Sequence, residues 1–255
     1  MGLRWLACDE SMIPAGITWL HEAEARRVAG YRFTKRRREY LLRRLAGKRA
    51  AGVVLGLDVD DTATLARIGV LNRVGGAPYV ALDGDEAGLE LSLTDRAGVA
   101  VALVGPAGAA RAAGGIGVDV EIVEARTAGF VRDFLTEREQ RWVLGRAVGA
   151  PDAVAEAANL IWSAKESALK VQRVGLRADT RSVEVCVLRG HRADGWSRLI
   201  VDHAAGVYPG WWRRDGAFLT TVVTGAASEP PEALPGGVDL RLAVPRHSWL
   251  EAPKA

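Results

Sequence analysis

Cysteine is scarce in this chain: Cys8 and Cys186 are the only two among 255 residues. They form no CxxC pair, and with no secretory signal ahead of them they argue against a disulfide framework and for free thiols in a reducing compartment. Histidine is nearly as sparse. His21, His191, His203 and His247 make neither an HxxxH nor an HxH spacing, which leaves a zinc site without support. No stretch reaches about 18 uninterrupted apolar residues, so no membrane span is expected. The opening MGLRWLACDE lacks the apolar centre of a signal peptide. Glycine runs such as Gly114-Gly115 are not followed by GKS/T, so there is no P-loop. Lysine is rare beside abundant alanine, arginine and glycine, a habit of composition that carries no function by itself. These absences point to a soluble, cytoplasmic chain. Its length allows one large domain or two small ones, each able to bury a core.

Charge is present but unevenly placed. The net value is only +3, yet Arg32, Lys35, Arg36, Arg37, Arg38, Arg43, Arg44, Lys48 and Arg49 crowd one segment with a single acid, Glu39. Such a block suits a polyanionic partner, whether nucleic acid, an acidic membrane or a phosphate-rich small molecule. It also suits a solvated helix face.

Periodicity predicts helix over Thr18 to Gly56 and turns with short strands over residues 69 to 88. A hairpin is expected with strands Leu89–Leu93 and Val99–Val104 around the turn Asp95-Arg96-Ala97-Gly98. GPAGAARAAGG, residues 105 to 115, is the candidate hinge between halves. After it come the strand IGVDVEIV, a helical stretch over Phe130–Val148 and a helix over Ala153–Gln172. From Ser182 the chain is β-rich, with Trp211-Trp212 expected in its core or on a sheet face. The segment after Ala226 is expected to be partly irregular. Helices followed by antiparallel strands in each half make the fold class α+β. The expected division is 1–112, 113–226 and a C-terminal tail, 227–255.

Two acids sit in the apolar strand. Alternation places Ile116, Val118, Val120 and Ile122 on one face, expected to pack into the core, and Asp119 with Glu121 on the other, their Cα atoms about 6.5 to 7 Å apart. Carboxylates so close repel unless a cation lies between them, and oxygen-only ligands suit Mg²⁺. In the later helix, Trp162, Glu166 and Lys170 recur every four residues and share a face, with Lys165 beside it. Each feature alone reads equally as solvated surface or an ordinary Glu–Lys pair. Together, a third carboxylate and two ammonium groups describe a site for a metal-bound pyrophosphate.

At this point GVDVE (117–121) and WSAKESALK (162–170) resemble the two signature motifs of 4′-phosphopantetheinyl transferases of the Sfp type. FLTEREQ (134–140) is similar to the family's F-x-x-x-E element through Phe134 and Glu139. KRRREYLLRR (35–44) is similar to its arginine-bearing N-terminal helix, and LSLTDRAG (91–98) to its Ser-x-Ser/Thr-His segment. The resemblance implies a single-chain pseudodimer of two similar α+β halves, with the active site in the cleft between them. It implies a Mg²⁺-dependent enzyme, with Mn²⁺ as an alternative ion. The enzyme would move the phosphopantetheine arm of coenzyme A onto a serine of an apo acyl or peptidyl carrier protein and release 3′,5′-ADP. A monomer is expected, serving polyketide or nonribosomal peptide assembly, with neither nucleic acid nor membrane as partner.

By the same resemblance, Asp119, Glu121 and Glu166 would hold the metal, and Glu166 would act as base for the carrier serine. Lys165 and Lys170 would neutralise the pyrophosphate and the departing ADP, with Lys170 counted among the catalytic groups. Arg36 and Arg44 would meet the coenzyme's 3′-phosphate. Thr94, Asp119, Lys165 and Lys170 complete the coenzyme-binding set. The chain departs from the pattern at Asp95, where the family has His. A carboxylate there is repelled by a phosphate unless Arg96 or Arg44 intervenes. It departs again at Gly76-Ala77-Pro78, which lacks the expected lysine. Three rival readings follow: a catalytically impaired relative, a DEDD-like metal-dependent nuclease, and a non-catalytic basic binding protein.

Overall fold

The computed structural model describes residues 2–107, 115–173, 179–191, 194–204 and 206–247. The expected boundary at residue 112 and most of the candidate hinge lie outside the described residues. Two compact units are present: Met1–Ala109 with Pro231–Asp239 and Val244–Ala255, and Ala110–Pro230 with Leu240–Ala243.

The first unit opens with strand β1 (Arg4–Asp9), followed by helices α1 (Glu22–Ala29), α2 (Thr34–Val54) and α3 (Thr62–Arg67). Strands β2 (Ile68–Asn72), β3 (Pro78–Leu82), β4 (Asp85–Arg96) and β5 (Val99–Pro106) come next. The predicted single helical run breaks at Gly30, which caps α1. The β4–β5 hairpin is longer than predicted. Asp95 and Arg96 stay in the ladder, and the turn narrows to Ala97-Gly98, both left-handed at φ 48° and 83°. Two successive residues with positive φ match the right-handed twist of flanking strands, which favours this tight turn over a four-residue one. Leu41, Leu42, Leu45 and Ala46 of α2 pack with Val70, Leu91, Ala102 and Val104 of the sheet.

The second unit runs β6 (Ile116–Ile122), α4 (Ala128–Phe134), α5 (Glu137–Leu144), α6 (Ala153–Val171), β7 (Val183–His191), β8 (Ser197–His203), β9 (Gly206–Asp215) and β10 (Phe218–Thr224). The predicted helix over 130–148 is split by Leu135-Thr136, because the Thr136 side chain caps α5. The core here is α6 against the sheet, through Leu160, Ile161, Ala164, Ala168, Leu199, Val201, Leu219 and Val223. Trp211 is buried in β9. The chain is thus of mixed α+β class, with six α-helices and two sheets among the described residues. Beyond Ala226 it is not wholly irregular: Glu232–Ala233 forms β11, parallel to β1.

The two sheets have one strand order. It is β1-β5-β4-β3-β2 in the first unit, with β11 added outside β1, and β6-β10-β9-β8-β7 in the second. A buried clasp recurs as well. In the first unit Lys48 is 2.7 Å from Glu24 and donates to the carbonyls of Leu65 and Ile68. Glu24 also accepts from the amides of His21 and Val70. In the second unit Lys165 is 2.9 Å from Glu139 and donates to the carbonyls of Thr180 and Val183. Glu139 accepts from the amides of Thr136 and Val185. Each glutamate closes the capping box of its helix while neutralising a lysine from the next long helix. A buried pair so fully hydrogen-bonded tolerates desolvation, whereas removing one partner costs about 3–5 kcal/mol.

Candidate active site

The acids of β6 face α6. As alternation predicts, the acids share one face of the strand: Gly117, Asp119 and Glu121 point at the helix that covers the sheet. Val118, Val120 and Ile122 are buried on the opposite face. Gly117 makes this possible. A Cβ there would stand 1.9 Å from the Ser167 carbonyl oxygen, so only glycine lets strand and helix backbones approach so closely. Ser163 and Ser167 secure the helix from the sheet side by sharing the Thr221 hydroxyl at 2.9 and 2.8 Å. Small side chains on α6 (Ala157, Ala158, Ala164, Ala168) keep it low over the strands.

This approach brings the Trp162–Glu166–Lys170 stripe onto the acid face. Lys170 Nζ is 2.9 Å from Asp119 Oδ1 and 2.7 Å from the Val118 carbonyl. Trp162 Nε1 donates to Glu121 Oε1 at 3.1 Å. Burial pushes the Glu166 carboxyl up to about 7, the charges of Asp119 and Glu121 add to the rise, and Lys170 opposes it. A proton acceptor near neutrality is well matched to general-base work. Asp119 thus meets Lys170 and Glu121 meets Trp162, with Glu166 on the same helix face, while among the described residues no three acid, His or Cys side chains form a ready metal cage.

Lys165 does not share that face. It is fully buried and turned away from the acids into the clasp with Glu139, where desolvation lowers its pKa and the carboxylate opposes that. The expected role at a pyrophosphate has no geometric support. Its charge is already consumed in the core.

The predicted phosphate contacts of the first unit fare unevenly. Arg36 is exposed in the first turn of α2. Arg44 is only 5% exposed: its guanidinium stacks on Tyr40 at 4.6 Å and donates to the Val70 carbonyl and, at 3.1 Å, to Asn72. The two arginines do not form the shared face that their spacing suggested. Thr94 is buried in β4 opposite Val101. Asp95 is paired with Arg43.

Two residues of the acid cluster escaped the sequence reading. Arg126 lies 2.9 Å from Glu121, and Asn159 accepts from Arg126 Nε at 2.6 Å. Arg126 sits in the connection between β6 and α4, where no periodicity marks it. Asn159 did carry a signal, an amide in the apolar run AANLIW.

The donor chemistry fits a hard divalent cation. The donors are oxygens only, and Glu166 Oε1 is buried with no hydrogen-bond partner, an atom that a cation would satisfy. Residues 115–198 match the family model of the 4′-phosphopantetheinyl transferase superfamily, a span that includes Asp119, Glu121, Glu166 and Lys170. No curated protein matches the chain. No helix among the described residues is long and apolar enough to cross a membrane.

Proposed function

We propose that this chain is a phosphopantetheinyl transferase of the Sfp type, acting on coenzyme A and an apo acyl or peptidyl carrier protein. The observation that carries the reading is the contact of β6 with α6, where Lys170 meets Asp119, Trp162 meets Glu121 and both acids act on the Glu166 carboxyl, inside the span matched to that superfamily. A pseudodimeric architecture is part of the proposal, supported by the common strand order and the twin Lys–Glu clasps.

In this reading the carrier serine hydroxyl attacks the phosphorus that bears the pantetheine arm. The new bond is serine O–P. The bond that breaks joins that phosphorus to the oxygen bridging to ADP, so 3′,5′-ADP leaves with the electron pair. Glu166 takes the serine proton, directly or through a water, which its position near neutrality allows. Asp119, Glu121 and Glu166 would hold a divalent ion, which when bound supplies positive charge to pyrophosphate oxygens. Lys170 stays beside Asp119 and adds a second positive charge where the leaving group develops negative charge. Arg36, exposed on α2, is proposed to meet the coenzyme's 3′-phosphate, and Arg44 braces that helix through Tyr40 and Asn72. The Arg43–Asp95 pair answers the departure from the family pattern, because it cancels the charge that would repel a phosphate.

Intact-mass measurement of apo carrier proteins, incubated with the chain, coenzyme A and Mg²⁺, tests the reading. The expected gain is about 340 Da, the mass of the transferred arm. It should require the ion and vanish with Glu166→Ala. A folded chain that modifies no acyl or peptidyl carrier would overturn the proposal.

A further inference from the structure

Arg126 is a cation against Glu121, and it is held from three sides. Nη2 lies 2.9 Å from Glu121 Oε2, Nε donates to Asn159 Oδ1 at 2.6 Å, and Cζ stands 4.7 Å from the centre of the Phe130 ring. Asn159 is fully buried, and its amide has one usable orientation. Nδ2 donates to the carbonyls of Glu124 and Ala155 at 2.7 and 2.8 Å, so Oδ1 must face the arginine. The other Glu121 oxygen accepts from Trp162, whose ring is wedged edge-on against Phe130 and Phe134 at 5.2 and 5.1 Å. One oxygen of this carboxylate thus accepts from Trp162 and the other lies at ion-pair distance from Arg126.

We infer that Arg126 is a positioning residue and a tethered competitor of the divalent ion: it holds Glu121 while no ion is bound and thereby sets how tightly the acids take one up. The inference rests on the proposed function, which supplies the ion. A guanidinium alone can do this, because its planar fork serves Asn159 through Nε and Glu121 through Nη2 at once, which an ammonium cannot. Charge counting agrees. Lys170 offsets Asp119 and Arg126 offsets Glu121, leaving Glu166 as the acid of the three with no cation bonded to it. Among the described residues no three acid, His or Cys side chains converge as a ready cage. Cations already beside two of the three acids oppose the uptake of a bare ion. A pyrophosphate ligand, which brings its own negative charge, tips the balance, so ion and phosphate donor load together.

The test is Mn²⁺ binding to the full chain, followed by electron paramagnetic resonance with Mn²⁺ alone. Arg126→Gln should bind the ion at least about tenfold more tightly than the parent, since one positive charge has left the cluster. Arg126→Lys keeps the charge and should stay within about threefold. Equal or weaker binding by Arg126→Gln overturns the inference. A second readout does not depend on that variant folding. In arginine-labelled parent protein, the Arg126 Nε–H resonance, identified by its loss in Arg126→Lys, should shift as Mg²⁺ is added. A resonance that does not move overturns the inference as well. Failure of the functional reading looks different. A parent chain that takes up no Mn²⁺ sinks the ion site itself, whereas uptake lost in Glu166→Gln but unchanged in Arg126→Gln sinks only the role of Arg126.

Discussion

Glu166 couples the site to pH. Its carboxyl is raised from 4.5 to about 7, by burial first and by Asp119 second. Between those values the folded chain holds a proton that the unfolded chain has released. The associated stability is therefore intact below pH 4.5 and lost as pH rises through 7. Glu166→Gln keeps the shape and removes the titration. By calorimetry without divalent ions, the variant should lose less Tm between about pH 5 and pH 8 than the parent. Equal losses would place the pH dependence in other groups. At this scale the sequence was informative wherever spacing alone decides direction: alternation paired Asp119 with Glu121, and a four-residue step aligned Trp162, Glu166 and Lys170. It failed for Lys165. One step along the helix turns that side chain about 100°, from the acid face toward Glu139 of α5, and nothing in WSAKESALK reveals a partner from another helix.

Among the elements, β6 and α6 matter together through one position. An alanine at 117 would press into the Ser167 carbonyl, a backbone atom that cannot swing aside. Gly117→Ala should therefore cost at least about 2 kcal/mol in urea unfolding, because the helix must lift as a body. Any transferase activity should fall further than the fraction unfolded explains, since the lift separates Glu166 from Asp119. A variant within about 0.5 kcal/mol of the parent would show that the approach is not needed. The sequence showed the existence of this strand and helix but not their sidedness. Both faces of β6 are buried, so the apolar set Val118, Val120 and Ile122 did not mark the helix-covered side. Strand β9 carries Gly206, Pro209 and Gly210 within the β-rich region expected after Ser182, and its place between β8 and β10 supplies the pairing.

For the whole molecule, the basic block shows why charge runs mislead. Arg38 is paired with Glu10, Arg43 with Asp95, Lys48 with Glu24 and Arg49 with Asp60, and Arg44 is buried. The run is in good part internal wiring of the first unit, a property that net charge along a sequence does not express. The same unit should make the protein sensitive to alkali. Burial raises the Cys8 thiol from 9.0 to about 12 and the Tyr40 hydroxyl from 10.0 to about 12. Both groups are held neutral by the fold. Their contributions are intact below pH 9 and pH 10 and are lost as pH climbs toward 12. Urea midpoints should fall between about pH 9 and pH 11, and Tyr40→Phe should fall less steeply than the parent. Matching slopes would remove Tyr40 from the account.

The twin clasps also constrain descent. Loss of Lys48 or Glu24, or of Lys165 or Glu139, strands a charge in a dry interior at about 3–5 kcal/mol. That is a large share of the roughly 5–15 kcal/mol that keeps a protein folded. An apolar replacement of both partners is tolerable, but the route to it passes through a half-dismantled intermediate that selection removes. Each clasp behaves as a ratchet, inherited whole, while the exposed residues around it remain free to drift.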